Sequence, residues 1–252
     1  YVQAHDGGLV PPGVLSTLFA PAQGWPASTA VVHRAALVKP RAEFPEAVLV
    51  GNGRWKCSGV IVGPRHVLTA GHCLPATEVG LGEGTGEEVR LVRAASSVRH
   101  PTLDAALLTF AQPLGVAPAP FRTTQEPPAG YLRYVGFGAT VERGLLGFGQ
   151  KKQLDLFASE WGCDGSRMAT TTCRPGQELV LGGSAGNDTC RGDSGGPLFE
   201  LLTTAKDCVW RLLALTSRRV PDANATCGGG GIYTRVDALA PWMKSLIEGD
   251  AQ

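Results

Sequence analysis

Net charge is almost missing from this chain: 23 Lys+Arg against 22 Asp+Glu leave +1 over 252 residues. So balanced a surface excludes the broad electrostatic attraction to nucleic acid or anionic lipid, which takes a marked basic excess. No apolar run approaches the roughly 20 residues that a membrane-crossing helix requires, and the composition does not suit a coiled coil. Seven cysteines occur, yet none forms a CxxC pair and only Cys73 adjoins a histidine, which disfavours a zinc site. An initiator Met and a charged-then-apolar leader are both missing at Tyr1, and the expectation is that a signal peptide has been removed.

Turn formers, in contrast, are plentiful. Gly 34 and Pro 18 suit many short strands and turns, and 43% apolar residues suffice for a globular core. Residues 1–30 carry Pro and Gly throughout without periodicity, and read as an N-terminal extension or propeptide. From about Val31, short β-branched runs alternate with turns: 47–50, 58–63, 66–70, 88–96, 105–110 and 131–138, then 151–159, 197–201, 209–217 and 231–236. This rhythm predicts antiparallel all-β architecture with no βαβ units. A terminal helix is predicted over 238–248, capped by Asp237, with Leu239, Trp242, Met243, Leu246 and Ile247 at helical spacing. The Pro-rich stretch 113–128 is a natural connector between a first half, 31–125, and a second, 126–252.

Two segments carry chemistry. VLTAGHC (67–73) runs a strand into a turn that presents His72, and CRGDSGGPL (190–198) sets Ser194 among glycines. A serine hydroxyl is a weak nucleophile at neutral pH and needs a base within hydrogen-bond reach. His72 can be that base if a carboxylate fixes its tautomer, and Asp104, one acid ahead of the apolar run AALLTF, is the candidate. Gly192 allows a backbone turn that converges its N–H and that of Ser194 on a developing oxyanion. Taken singly, each residue has a structural reading as core histidine, cap or turn; their joint order favours chemistry.

At these residues the chain resembles the chymotrypsin/trypsin family of serine proteases, from about residue 31 to the end. TAGHC, an Asp before an apolar strand, GDSGGP and GIYTRV ahead of a Trp-containing helix stand in the family's order. The resemblance implies two six-stranded antiparallel β-barrels and a C-terminal α-helix, with His72 and Asp104 on the first barrel and Ser194 on the second. It implies a secreted, bacterial, trypsin-like endopeptidase, extracellular or periplasmic, which is a monomer, needs no cofactor and meets protein substrates and protein inhibitors. Asp188, six residues before Ser194, matches the acid at the base of a pocket for Arg or Lys, and Gly231 matches the pocket wall. Thr216 falls where the family has a Ser supporting the catalytic Asp, so that Thr216-Ser217-Arg218 replaces Ser-Trp-Gly. Arg218 then either points to solvent, the favoured reading, or neutralises Asp188 and shifts the preference away from basic residues. A catalytically silent binding protein on the same fold is the other alternative.

Further expectations follow from the resemblance. Disulfides are implied for Cys57–Cys73, Cys163–Cys173 and Cys190–Cys227, with Cys208 left out of them and buried. The loop bearing Glu83, Glu87 and Glu88 resembles a calcium loop but reads as solvated carboxylates, so no metal is expected. Val31-Val32-His33-Arg34 partly matches the family's apolar N-terminus, which would make Val31 the partner of Asp193 in an activation salt bridge. Failing that, Arg143, Lys151 or Lys152 would supply the cation.

Overall fold

The structure, a computed structural model, describes residues 43–86, 88–128, 131–140, 146–157, 162–163, 169–181, 189–203, 208–221, 227 and 229–250, and the backbone of three short strands nearer the N-terminus. Those three are β1 (Val2–Gln3), which pairs with β2 (Leu9–Val10), and β3 (Ala36–Leu37). The first large sheet contains β4 (Ala47–Gly51), β5 (Trp55–Gly63), β6 (His66–Thr69), β7 (Glu78–Leu81), β8 (Arg90–Arg93), β9 (Ser96–Arg99) and β10 (Ala106–Thr109). The second contains β11 (Tyr131–Gly136), β12 (Lys152–Phe157), β13 (Glu178–Leu181), β14 (Pro197–Thr203), β15 (Cys208–Arg219) and β16 (Gly231–Arg235), and the chain ends in helix α1 (Val236–Gly249).

Both large sheets are antiparallel and have seven strands rather than six, in the orders β8-β7-β4-β5-β6-β10-β9 and β13-β16-β15-β14-β11-β12-β3. In the first, the extra strand is a split one. β8 and β9 lie at opposite ends of the order yet are separated only by Ala94 and Ala95, whose N–H groups donate to Thr77 on one side and Thr109 on the other. One bent segment therefore closes the sheet on itself, and closure removes the exposed edges. In the second, the seventh strand is a guest. β3 belongs to the span expected to build the first barrel, but it pairs with β12.

The apolar runs reflect burial on both strand faces. Along β4, Ala47 and Leu49 pack in one cluster and Val48 and Val50 in another; along β5, Val60 and Val62 alternate with Cys57 and Ile61 in the same way. Side chains alternate sides along a strand, so one set fills the first barrel. The other meets Phe137, just past β11, with Phe199, Leu212 and Leu215 of the second sheet and Leu239 and Met243 of α1. The connector is stitched to both halves: Ala119 N–H donates to Ile61, and Arg122 N–H to Leu212. Arg122, 1% exposed, meets the equally buried Glu200 at 3.1 Å, and Arg211 completes that carboxylate at 2.7 Å.

Helix α1 begins two residues earlier than expected and Asp237 does not cap it. Its carboxylate lies inside the first turn and takes a bidentate hydrogen-bond pair from Arg235 at 3.0 and 2.7 Å. The disulfides Cys57–Cys73, Cys163–Cys173 and Cys190–Cys227 form as expected. Cys208 lies outside them but is exposed, not buried, because it opens β15 at the far end of the hairpin with β14, opposite Thr203. No helix of the described residues is long and apolar enough to cross a membrane.

Candidate active site

His72 sits in a single 3-10 turn, Gly71–Cys73, directly after β6, and its neighbour Cys73 is tied to Cys57. Asp104 stands in the loop that enters β10. Its two oxygens take three hydrogen bonds: His72 N–H at 2.9 Å, His72 Nδ1 at 2.8 Å and Ser217 Oγ at 2.7 Å. Nδ1 facing a carboxylate fixes the tautomer that leaves Nε2 as the basic atom. Burial alone would raise the Asp104 carboxyl, but the hydrogen bonds and charge of its partners outweigh it and bring it down to about 2. It is therefore an anion at neutral pH.

Ser217, not Thr216, supports Asp104. Between the pairs Thr216↔Tyr233 and Arg218↔Ile232, β15 carries one residue more than β16, so Ser217 is bulged. A bulge re-aims a side chain, and here it turns the hydroxyl onto Asp104 while the buried Thr216 Oγ1 finds no partner among the described residues. The expected register is therefore one residue off, and Ser217-Arg218-Arg219 replaces Ser-Trp-Gly. A serine one place along was the available sequence signal. Arg218 does not simply point to solvent. Its guanidinium forks onto Glu178, buried on β13, at 2.7 and 2.9 Å.

Ser194 lies in the loop 190–196, brought against the end of β6. Ser58 N–H donates to Ser194 O at 2.9 Å, and Cys73 Sγ lies 3.7 Å from the same carbonyl. Gly195, at φ +77°, lets the loop dock this closely, since a Cβ there would stand 2.2 Å from Thr69 Oγ1. No hydrogen bond joins Ser194 to His72 among the described residues; such contacts are often long before substrate arrives.

Within the loop, most backbone N–H groups are occupied: Cys190 on the Asp193 carboxylate, Asp193 on Cys190 O, Gly195 on Thr216 O and Gly196 on Asp193 O. Arg191, Gly192 and Ser194 are the exceptions, since none of the three N–H groups has an acceptor among the described residues. The directions of the last two follow from the planar trans peptide. Arg191 O is held by Ala139 N–H and Asp193 O by Gly196 N–H, so the N–H across each peptide faces the opposite way.

Asp193 itself is buried and forms no ion pair among the described residues. Tyr134 OH at 2.7 Å, Gly138 N–H at 2.7 Å and Cys190 N–H at 2.8 Å fill its carboxylate. Of the cations considered for it, the two that are described have other partners: Lys151 pairs with Glu83 at 3.0 Å, and Lys152 Nζ donates to Gly147 O and Gln150 O. Glu83 is thus paired rather than merely solvated. The Cys57–His72–Cys73 group has metal-ligand spacing, but both of its sulfurs are in the disulfide. Gly231 opens β16 opposite Arg219 and Leu181 and is buried. Asp188, Val31, Arg143 and Glu87 lie outside the described residues.

Sequence comparison agrees with this geometry. The Trypsin family model matches residues 38–243. The chain belongs to the trypsin family of serine proteases. It is 27% identical over 253 residues to CLIP domain-containing serine protease B10 of Anopheles gambiae, covering 81% of this chain and 67% of that protein. It is 29% identical over 222 residues to a trypsin-like protease of Streptomyces glaucescens, covering 80% and 78%. Other insect CLIP-domain relatives are spanned for only 61–62% of their length. The mouse serine protease neuropsin shares the fold, with a TM-score of 0.66 at 22% identity over 81% of this chain and 95% of that one. Tyr134, Glu178 and Ser217 are the site residues that sequence reasoning missed.

Proposed function

We propose that the chain is a secreted serine endopeptidase. In this reading Ser194 Oγ attacks the scissile carbonyl, and His72 Nε2 accepts its proton and later passes it to the leaving amine. Asp104 holds the imidazole and balances its positive charge, the N–H groups of Gly192 and Ser194 receive the oxyanion, and water releases the acyl-enzyme. The observation that carries the proposal is the pairing of a carboxylate-oriented imidazole with the unengaged N–H groups of Gly192 and Ser194 on the serine loop. Such donors are worth most where charge develops.

Preference for Arg or Lys rests on Asp188 and on Gly231, which leaves the wall open. The engagement of Arg218 by Glu178 supports it, because the guanidinium proposed to neutralise Asp188 has a carboxylate of its own. Three disulfides support an oxidising, extracellular or periplasmic location. Protein substrates, protein inhibitors and a monomeric state complete the proposal.

The test is hydrolysis of a mixed peptide library, with cut sites read by mass spectrometry and Ser194→Ala as control. Cuts after Arg and Lys that vanish in the variant are expected. Ser194-dependent cuts elsewhere would overturn the pocket assignment. No Ser194-dependent cuts would make the chain a binding protein on a protease fold.

A further inference from the structure

Behind the serine loop, three donors converge on one carboxylate in a way that the catalytic residues do not explain. Tyr134 is buried, and its hydroxyl touches Asp193 twice, at Oδ1 (2.7 Å) and at the main-chain carbonyl (3.3 Å). The space around the pair is made by missing side chains. A Cβ on Gly136 would stand 1.6 Å from the Tyr134 hydroxyl oxygen, and one on Gly138 would stand 2.3 Å from the Asp193 carboxyl carbon. Both would collide, so the glycines form a cradle shaped to the phenol and the carboxylate together.

The same segment also grips the loop farther along. Gly138 N–H donates to Asp193 and Ala139 N–H to Arg191 O, the carbonyl whose orientation sets the direction of the Gly192 N–H. Asp193 O, shared by Gly196 N–H and the Tyr134 hydroxyl, sets that of Ser194. Residues 134–139 therefore hold both peptides whose N–H groups would receive an oxyanion.

We infer that Tyr134 is a positioning residue that latches Asp193, and with it the oxyanion loop, by an internal hydroxyl in place of a chain-terminal ammonium. The loop is thereby set in its working shape without a cut ahead of an apolar N-terminus. This rests on the protease reading. A buried carboxylate needs donors whatever their charge, and here one phenol and two amides meet that need.

The experiment compares the full 252-residue chain with Tyr134→Phe, which keeps the ring and removes only the hydroxyl. Kinetics are measured on a peptide cut in the library, with intact mass recorded before and after assay. The uncut chain is expected to be active, and Tyr134→Phe to lower kcat at least about tenfold, the size of one hydrogen bond to a charged group, with KM within about twofold. Amide hydrogen exchange at Gly138 and Cys190 is expected to speed up in the variant. Wild-type kcat in Tyr134→Phe would overturn the latch, and so would activity that arises only once the mass shows a cut. If no Ser194-dependent hydrolysis occurs in any variant, the protease reading fails and exchange alone decides: unchanged protection at both amides would overturn the latch as well.

Discussion

Two aspartates in this fold each accept three hydrogen bonds, yet their carboxyls are shifted in opposite directions. Asp104, in the cleft, takes them from His72 twice and from Ser217; Asp193, behind the serine loop, takes them from Tyr134, Gly138 and Cys190. Burial pushes both carboxyls up. At Asp104 the partners win and the value falls to about 2, while at Asp193 burial wins and it stays raised. The number of donors is equal, so the difference lies in their charge and in depth. His72 can bring positive charge to Asp104, whereas the three donors to Asp193 are neutral, and burial has lowered nearby Lys152 to about 8. In the proposed mechanism the cleft thus keeps an anion ready to balance an imidazolium, and the loop keeps a carboxylate as a mechanical anchor.

Neutralising each group without changing its size breaks the comparison most sharply. Asp104→Asn removes the anion and permits the wrong imidazole tautomer, and kcat should fall about 10⁴-fold, a magnitude carried over from the family's triad. Asp193→Asn leaves the imidazole alone and loosens the oxyanion donors, for which a loss of about 10²-fold is expected. Steady-state kinetics on one substrate would rank them. Equal losses would mean that both carboxylates act through charge.

The cleft side of this contrast was legible in the sequence and the loop side was not. His72, Asp104 and Ser194 announce themselves because each sits in a short local signature. Ser217 was displaced by one place because a bulge inserts a residue that no local pattern marks. Tyr134 and Asp193 are 59 residues apart, and Arg218 and Glu178 are 40 apart, so nothing in either neighbourhood reveals the pair. The strands show the same division. Runs such as AVLV and GVIV were visible because both faces are buried, whereas β7 and β13, each four residues long and followed by glycine, carried too little pattern.

Arg218 tests whether the cleft anion depends on a second cation behind Ser217. The Asp104 charge raises the Arg218 value after the larger effects of Glu178 and burial, so the two are coupled. Arg218→Met leaves the buried Glu178 with only the Arg174 N–H among the described residues, and should cost about 2 kcal/mol, below the usual range for a broken buried pair because the Arg218 side chain is 38% exposed. Replacing both by Met should restore most of that stability, since apolar substitutes of similar volume are often neutral. Thermal unfolding of the single and double variants measures both steps. A double variant as unstable as the single would show that the pair does more than satisfy its own charges.

Acid titration of stability draws the finest line between the two aspartates. The folded value of Asp104 lies below its ordinary 3.8, so its contribution is present above 3.8 and is lost as pH falls through about 2. Asp193 has a raised value, so its contribution is full below 3.8 and is lost as pH rises through the folded value. The Tm difference between wild type and Asp104→Asn should therefore shrink on acidification from pH 6 to 2. That between wild type and Asp193→Asn should move the other way. Each change is expected to be a few °C, because about 1 kcal/mol shifts Tm by about 2–4 °C in a chain near this size. Parallel slopes would mean that Asp193 meets a cation after all, and that its three neutral donors are not what holds the loop.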